Sequence, residues 1–410
     1  MRFAPTVHLF CINDVLMIGN SANGCTIGLT KDAFAICHEL RDSDRAAESI
    51  KGFDKNLFDA MLRNCFFGET KTAPNNRSAY LHITERCQLS CQGCYARAEN
   101  RTLVSDPALS DLHKALDFLK KNNVGNLIIA GGEPLIRDDF RELLHLIGRY
   151  SFSKVVLLTN GLLLEKWQSD LAGYVDVVSI SVDACGGNLV SYARNCNCIE
   201  SLDDVIELLR NSGIAVQLLV TVHAKNVCEI ANFAAYGAGK DIPVSYSLLS
   251  KTPGLSNQSE LFLSAHELPT LSNWLCDDAG VDISEIPLGA NLVTRDSCGA
   301  GRTVVSVAAN GNVYPCHMLH NTDFIVGNAF CDLDLMLSEG GACADLINFH
   351  GSSVSECANC RYLPLCGSGC RARALAESDT IYAPDPFCNL IQDYYQRVFS
   401  GVKARLKCKE

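Results

Sequence analysis

Between Ala79 and Ser250 the chain alternates apolar runs with amphipathic stretches. The runs AYLHITERC, NLIIAGGEP, KVVLLTNG, VDVVSISVD, AVQLLVTVH and IPVSYSLLS are dense in aliphatic and β-branched residues and end in polar or turn-forming ones. The stretches between them, such as DDFRELLHLIGRYS and LDDVIELLRNSG, bring apolar positions back every three to four residues. That is the period of a helix with one buried face. Strands that are almost continuously apolar are those that helices cover. The pattern therefore predicts a parallel α/β sheet of six strands. In such a sheet the reactive loops lie at the C-terminal strand ends. The loop of Cys87, Gly131–Pro134, Thr159–Gly161 and Asp183 all fall at those ends.

The flanks read differently. Before the alternation, VHLFCI and DVLMIGN predict two strands with Asp14 near their turn, and GCTIGL a third. KDAFAICHELRD and NLFDAMLRNCFF have helical spacing, and KTAPNNRS is a polar linker. Residues 252–297 are a connector with weak helical signals. After Cys298 the regular alternation stops, and loops and cysteines are expected up to Cys388. NLIQDYYQRVFSGVKARL then predicts an amphipathic helix. No internal repeat or low-complexity tract is present.

Composition narrows the function classes. Of 410 residues 48% are hydrophobic, so the chain has material for real cores. A net charge of −11 argues against a bulk electrostatic grip on nucleic acid or anionic lipid. The first residues lack the basic start and long apolar core of a signal peptide, and no apolar run is long enough to span a bilayer, so a cytoplasmic location is expected. The 22 cysteines then point to metal sites more than to disulfides. Scattered ones such as Cys11, Cys25, Cys37, Cys65, Cys228 and Cys408 read as small hydrophobes.

ERCQLSCQGCYAR holds Cys87, Cys91 and Cys94 on one loop, followed by Tyr95. Thiolates are soft ligands for iron–sulfur clusters and zinc, and a closed site takes four. Three leave one coordination position open. This spacing after the first strand, with AGGEP after the second, resembles the radical SAM superfamily over residues 79 to about 250. The resemblance implies a partial (β/α)6 radical SAM barrel and a [4Fe–4S] cluster on Cys87, Cys91 and Cys94. The open iron would chelate S-adenosylmethionine, whose cleavage gives a 5′-deoxyadenosyl radical. It places Gly131, Gly132, Glu133 and Pro134 against the methionine end, with Glu133 accepting from the ammonium. It further implies contacts from Tyr95, Asn160, Asp183 and Arg194. Relatives often carry an aromatic residue before the third cysteine; here Gly93 stands there. Asn160-Gly161 also reads as a simple turn.

A second series of cysteines follows: Cys298, Cys316, Cys357, Cys360, Cys366, Cys370 and Cys388. Their order resembles the SPASM domain, which usually holds two auxiliary iron–sulfur clusters. The resemblance assigns Cys357, Cys360, Cys366 and Cys388 to a distal cluster and Cys298, Cys316 and Cys370 to a proximal one. The proximal fourth ligand is left as an open iron, Cys276 or a substrate thiolate. Cys-x2-Cys pairs alone would also suit zinc. Cys185, Cys196 and Cys198 read as loop thiols.

Proteins with this two-part plan modify peptides or proteins. The strand-then-helix order of residues 1–75 is similar to the winged-helix-like RiPP recognition element, which clamps a leader peptide by strand addition. The expected divisions are 1–75 for peptide binding, 76–255 for the radical SAM core, 256–297 for a connector and 298–410 for the SPASM domain. The resemblance implies an enzyme that forms a thioether or C–C cross-link in a ribosomally made precursor peptide, with a reductant such as flavodoxin or ferredoxin. The alternatives are an anaerobic sulfatase-maturating enzyme and a non-catalytic iron–sulfur electron-transfer protein. No residue stands out as a substrate general base.

Overall fold

The computed structural model describes residues 1–68, 77–91, 93–96, 105–185, 202–251, 260–264, 266–277, 282–283, 292–331 and 344–407. The chain divides into two compact units. One joins Met1–Ala73, Leu271–Cys298 and Phe349–Glu410; the other joins Pro74–Thr270 and Gly299–Asn348. The stretch expected as a single 298–410 segment is thus shared between them.

The second unit is organised by six parallel strands. They are β4 (Arg77–His82), β5 (Val124–Ala130), β6 (Lys154–Thr159), β7 (Val177–Val182), β8 (Ala215–Val222) and β9 (Val244–Leu248). Each pairs with the one before it in parallel. The crossovers are α4 (Leu109–Lys121), α5 (Phe140–Ile147), α6 (Leu164–Leu171), α7 (Asp203–Asn211) and α8 (Ile230–Lys240). Their apolar stripes are buried: Leu112, Leu116 and Leu119 on α4, Phe140, Leu143 and Ile147 on α5. Every residue of β7 is buried, as a covered parallel strand requires. The Trp167 Nε1–H of α6 donates to the carbonyl of Leu135 at 2.9 Å, fixing a loop that leaves the strand ends.

The sequence expectation failed just beyond Cys298. Val304–Val307 is a strand parallel to β4, and Asn312–Tyr314 and Gly327–Asn328 continue the sheet antiparallel. Two to four residues are too few to show a period of two. The ladder offered by β4 makes them strands.

In the first unit β1 (Val7–Ile12), β2 (Val15–Asn20) and β3 (Thr26–Gly28) form an antiparallel sheet in that order. Ile12 faces Val15 across a two-residue turn, where Asn13 and Asp14 both take positive φ, 49° and 65°. That is the demand of a tight hairpin, and Asn and Asp meet it at low cost. Helices α1 (Lys31–Glu39), α2 (Ala46–Phe53) and α3 (Lys55–Arg63) pack Cys37, Ala46, Ala47, Ile50, Phe58 and Met61 with Ile18, Phe3 and Phe66. The sequence pattern misses α2: it has only eight residues, two of its three buried positions are alanine, and Gly52 weakens it. The buried Asn20 side chain donates to the carbonyls of Asn64 and Cys65 at 3.2 and 2.9 Å, pinning the sheet to the end of α3.

Candidate active site and metal centre

The loop bearing Cys87, Cys91 and Cys94 leaves the end of β4 and is anchored before its first cysteine. Asp106 takes a hydrogen bond from Thr84 Oγ1 at 2.5 Å and pairs with Arg86 at 2.5 Å. Burial raises the Asp106 carboxyl, but the bonds from Arg86 and Thr84 outweigh it and hold the group below the usual carboxylate range. Arg137, 1% exposed, donates to the carbonyls of Ile83 and Pro107 at 2.7 and 3.1 Å. Neither anchor is legible in the cysteine motif itself. All three thiols are half-buried, and the Leu89 N–H donates to Cys87 Sγ at 3.4 Å.

The Gly131–Pro134 loop packs against this cysteine loop through backbone. The Gly132 N–H donates to Thr84 O at 2.9 Å, and the Glu133 N–H to Arg86 O at 2.8 Å. Gly131 sits at φ 154°, and a Cβ on Gly132 would come within 2.2 Å of the Arg86 carbonyl oxygen. The glycines are therefore required for loop-on-loop approach. Pro134 is buried and opens a short 3-10 turn capped by Glu133. The Glu133 carboxylate is fully buried and accepts from Leu135 N at 3.1 Å, Thr159 Oγ1 at 2.7 Å and Asn160 N at 2.8 Å. Its visible work is to tie the β5 end to the β6 end.

The remaining rim residues gather on the same side. Asn160 follows β6 and its Oδ1 accepts from Leu162 N and from Gln88 Nε2 of the cysteine loop, at 3.0 and 3.3 Å. Asp183 follows β7 and is buried. His223, which the sequence reading did not single out, follows β8 and is wholly buried, its Nε2 3.8 Å from Asp183 Oδ2. The Lys225 N–H donates to His223 Nδ1 at 3.2 Å, which leaves Nε2 as the nitrogen turned toward Asp183. Asn226 Nδ2 bonds the Asp183 and Thr221 carbonyls and locks this corner. The signal that would have found His223 is positional: it ends its strand where Asp183 ends the neighbouring one. Asn160 Nδ2 and His223 Nε2 are buried without a hydrogen-bond partner among the described residues. Orphaned polar atoms at the strand ends, on the rim that also carries the half-buried thiols, suit a polar cofactor with amino, carboxylate and ribose groups. Arg194, Cys196 and Cys198 lie outside the described residues, as does the side chain of Cys276.

Tyr95 meets two histidines edge-on: His82 at the end of β4, 6.1 Å between centroids, and His317 at 5.2 Å. His317 follows Cys316 and stacks on Tyr80 at 4.0 Å. Burial pushes His317 down to about 3, with His320 adding to the fall, and pushes His320 down to about 4. Both rings are therefore neutral at physiological pH.

In the first unit Cys357, Cys360, Cys366 and Cys388 line one pocket with Tyr362, Leu363 and Ile391. Burial pushes the Cys357 thiol up to about 11 and raises Cys366 and Cys388 as well. No three His, Cys, Asp or Glu side chains among the described residues are gathered tightly enough to close around one ion. Four thiols ringing a pocket without converging on a point are a donor set suited to a multi-iron cluster. Cys370 caps the helix Arg371–Ser378; its N–H donates to Asp385 Oδ2 at 2.6 Å. Burial raises its thiol and Cys298, in the same unit, adds to the rise. Cys316 belongs to the other unit.

The chain carries a radical SAM domain: residues 81–236 match the Radical SAM superfamily. Enzymes of this class work with S-adenosylmethionine and a [4Fe–4S] cluster. Among its relatives, mycofactocin maturase MftC of Mycolicibacterium smegmatis is 26% identical over 331 residues, 75% of this chain and 81% of that protein. PqqA peptide cyclase of Gluconobacter oxydans is 26% identical over 353 residues, 80% of this chain and 95% of that one. The fold is also that of Streptococcus suis SuiB, solved bound to precursor peptide SuiA, with a TM-score of 0.63 and 15% identity over 95% of this chain and 99% of that one.

Proposed function

We propose that this enzyme is a radical SAM peptide maturase that cross-links a ribosomally made precursor peptide. The observation that carries the reading is the backbone-to-backbone contact of the Cys87–Cys94 loop with Gly131–Glu133 at the sheet rim, in a chain whose relatives over three quarters of its length are named as peptide maturases and cyclases. Cys87, Cys91 and Cys94 hold the first cluster, and Gly131, Gly132, Asn160 and Asp183 face the cofactor. When bound, the cluster and S-adenosylmethionine supply a 5′-deoxyadenosyl radical that takes a hydrogen atom from the substrate. The chain's own part is to hold the two loops in register and to keep the corner of Asp183 and His223 dry. Cys357, Cys360, Cys366 and Cys388 hold an auxiliary cluster. The product is a thioether or C–C bond, and a flavodoxin or ferredoxin in the cytoplasm supplies electrons.

The precursor's leader binds the three-stranded sheet of residues 1–68 by strand addition along β3. Support comes from the sheet order, which leaves β3 at one end, and from SuiB, solved bound to its precursor peptide SuiA. The test is the intact mass of the small peptide encoded beside the gene, made anaerobically with and without the enzyme. A loss of two hydrogens per cross-link, abolished when Cys87, Cys91 and Cys94 are all alanine, is expected. Unchanged mass with S-adenosylmethionine still cleaved to 5′-deoxyadenosine would overturn the peptide assignment.

A further inference from the structure

The helix Arg371–Ser378 begins directly after Cys370 and buries two guanidinium groups within its first turn. They are treated differently by their surroundings. Arg373 has a full counter-charge: its Nη2 lies 2.7 Å from Asp385 Oδ2, and both side chains are essentially inaccessible. The same carboxylate accepts from the Cys370 and Phe387 N–H groups at 2.6 and 2.9 Å, so this neutral pair braces the chain on either side of two cysteine ligands.

Arg371 has no such partner. Its side chain is 0% exposed. Nη1 donates to the Ile381 and Ala383 carbonyls at 2.6 and 2.8 Å, and Nη2 donates to the Ser368 carbonyl. The guanidinium carbon stands 4.9 Å over the Phe349 ring. Its Nε–H is buried without a hydrogen-bond partner, and no carboxylate among the described residues pairs with it. Three carbonyl dipoles and one ring do not neutralise a full charge. An isolated buried cation carries a penalty of several kcal/mol even after relaxation, on the order found for buried ions generally. A fold that keeps Arg371 here must place an anion near it.

The groups available are the thiols of the cysteine pocket. Ser368, whose carbonyl Arg371 holds, lines that pocket together with Cys357, Cys360, Cys366 and Cys388. Arg371 is also near enough to Cys357 for its charge to act on that sulfur. As neutral thiols these cysteines supply no negative charge. As four thiolates around a cubane cluster they leave a net negative centre, more negative still after one-electron reduction.

We propose that Arg371 is the buried counter-charge of the auxiliary cluster held by Cys357, Cys360, Cys366 and Cys388, and that it sets the reduction potential of that cluster. Arg371 is a positioning and tuning residue; it touches neither substrate nor S-adenosylmethionine. A fixed cation beside the cluster favours the reduced state over the oxidised one, because the reduced state carries one more negative charge. The cluster is reduced by one electron from an external carrier of the flavodoxin or ferredoxin class, which is itself oxidised by one electron; no bond is made or broken at Arg371. The inference rests on the cluster assignment made for these four cysteines.

The experiment is an EPR-monitored redox titration of the full-length, iron-loaded protein, with the signal of this cluster identified by its loss in Cys360→Ala. Loss of no iron in Cys360→Ala would sink the cluster assignment itself, whatever Arg371 does. With the assignment standing, Arg371→Gln should shift the midpoint to a more negative value, and Arg371→Lys should bring it back toward that of the unchanged protein. An unchanged midpoint in Arg371→Gln with iron fully retained overturns the proposal, leaving Arg371 as a carbonyl clamp only. If Arg371→Gln retains too little iron to titrate, Arg371→Lys decides. Iron restored at the original midpoint supports a role for charge. Iron still missing assigns the residue to structure alone and overturns it.

Discussion

Gly132 shows how much of the site rests on one missing carbon. The cysteine motif places three thiols on one loop, and AGGEP marks a second loop, but neither says that the two must touch. In the structure Gly132 lies so close to the Arg86 and Glu85 carbonyls that a Cβ would meet both, at 2.2 and 2.6 Å. The obstacle is backbone, which cannot rotate away as a flexible side chain can. Gly132→Ala should therefore destabilise the protein by about 1–3 kcal/mol, the usual cost of overpacking. It should also lower the iron retained by Cys87, Cys91 and Cys94. Gly52→Ala, with nothing near its Cβ position on α2, is the control and should be neutral or slightly stabilising. A thermal melt with an iron count on each variant checks both. Equal behaviour of the two variants would remove the argument for loop contact. Glu133 carries a related lesson. Sequence pattern marks it as a ligand residue, while its buried carboxylate is occupied with Thr159, Asn160 and Leu135.

At the scale of elements, the six strands and five helices between Ala79 and Ser250 were legible because the strands are apolar runs of a strand's length and the helices between them are long enough to show their period. Three kinds of element were not. The helix α2 is short, and its buried stripe of two alanines and one isoleucine is too slight to declare itself. The strands Val304–Val307 and Asn312–Tyr314 are too short, and exist as strands because β4 offers them a ladder. The corner of Asp183 and His223 depends on β7 and β8 being neighbours in register, which brings Val182 opposite Val220. The hairpin of β1 and β2, by contrast, was readable, since Asn13-Asp14 between two apolar runs is itself a turn signal. β3 bears on the proposed function. A peptide added beside it would protect backbone groups that an end strand otherwise presents to solvent. Hydrogen exchange at Thr26–Gly28 should therefore slow when the precursor peptide is added and stay unchanged with a peptide lacking its leader. Protection that appears elsewhere, with these amides unaffected, would move the leader site off this sheet.

For the molecule as a whole, both units bury apolar side chains. The unit built on β4–β9 buries residues of every strand, among them Leu81, Ile129, Leu157, Ile180, Leu218 and Leu248. The other unit gathers three separate stretches of chain, and its C-terminal part surrounds cysteines with a buried Arg371 and a buried Arg373–Asp385 pair. Under the proposed assignment, binding of iron and sulfide there is also folding free energy, because the unfolded chain offers no preformed site. Stripping iron with a chelator should lower the melting temperature and speed hydrogen exchange along the helix Cys388–Lys407, while amides of β5–β8 keep their protection. Uniform loss of protection across both units would show that the cluster is not local to this pocket. Among the described residues no helix is long and apolar enough to cross a membrane.

The sequence by itself determined the parallel sheet, the polar and Gly-rich loops that end its strands, and the spacing of the cysteines. Periodicity, turn residues and ligand spacing are local properties that survive in one dimension. Tertiary structure decided what those residues do to one another. It made Gly131 and Gly132 a contact with the cysteine loop, gave Glu133 a tying role, brought His223 to Asp183, and left Arg371 buried among carbonyls, one of them from Ser368 of the cysteine pocket. Those outcomes depend on which distant segments meet, and on whether a buried charge finds its partner. Spacing along the chain carries neither piece of information.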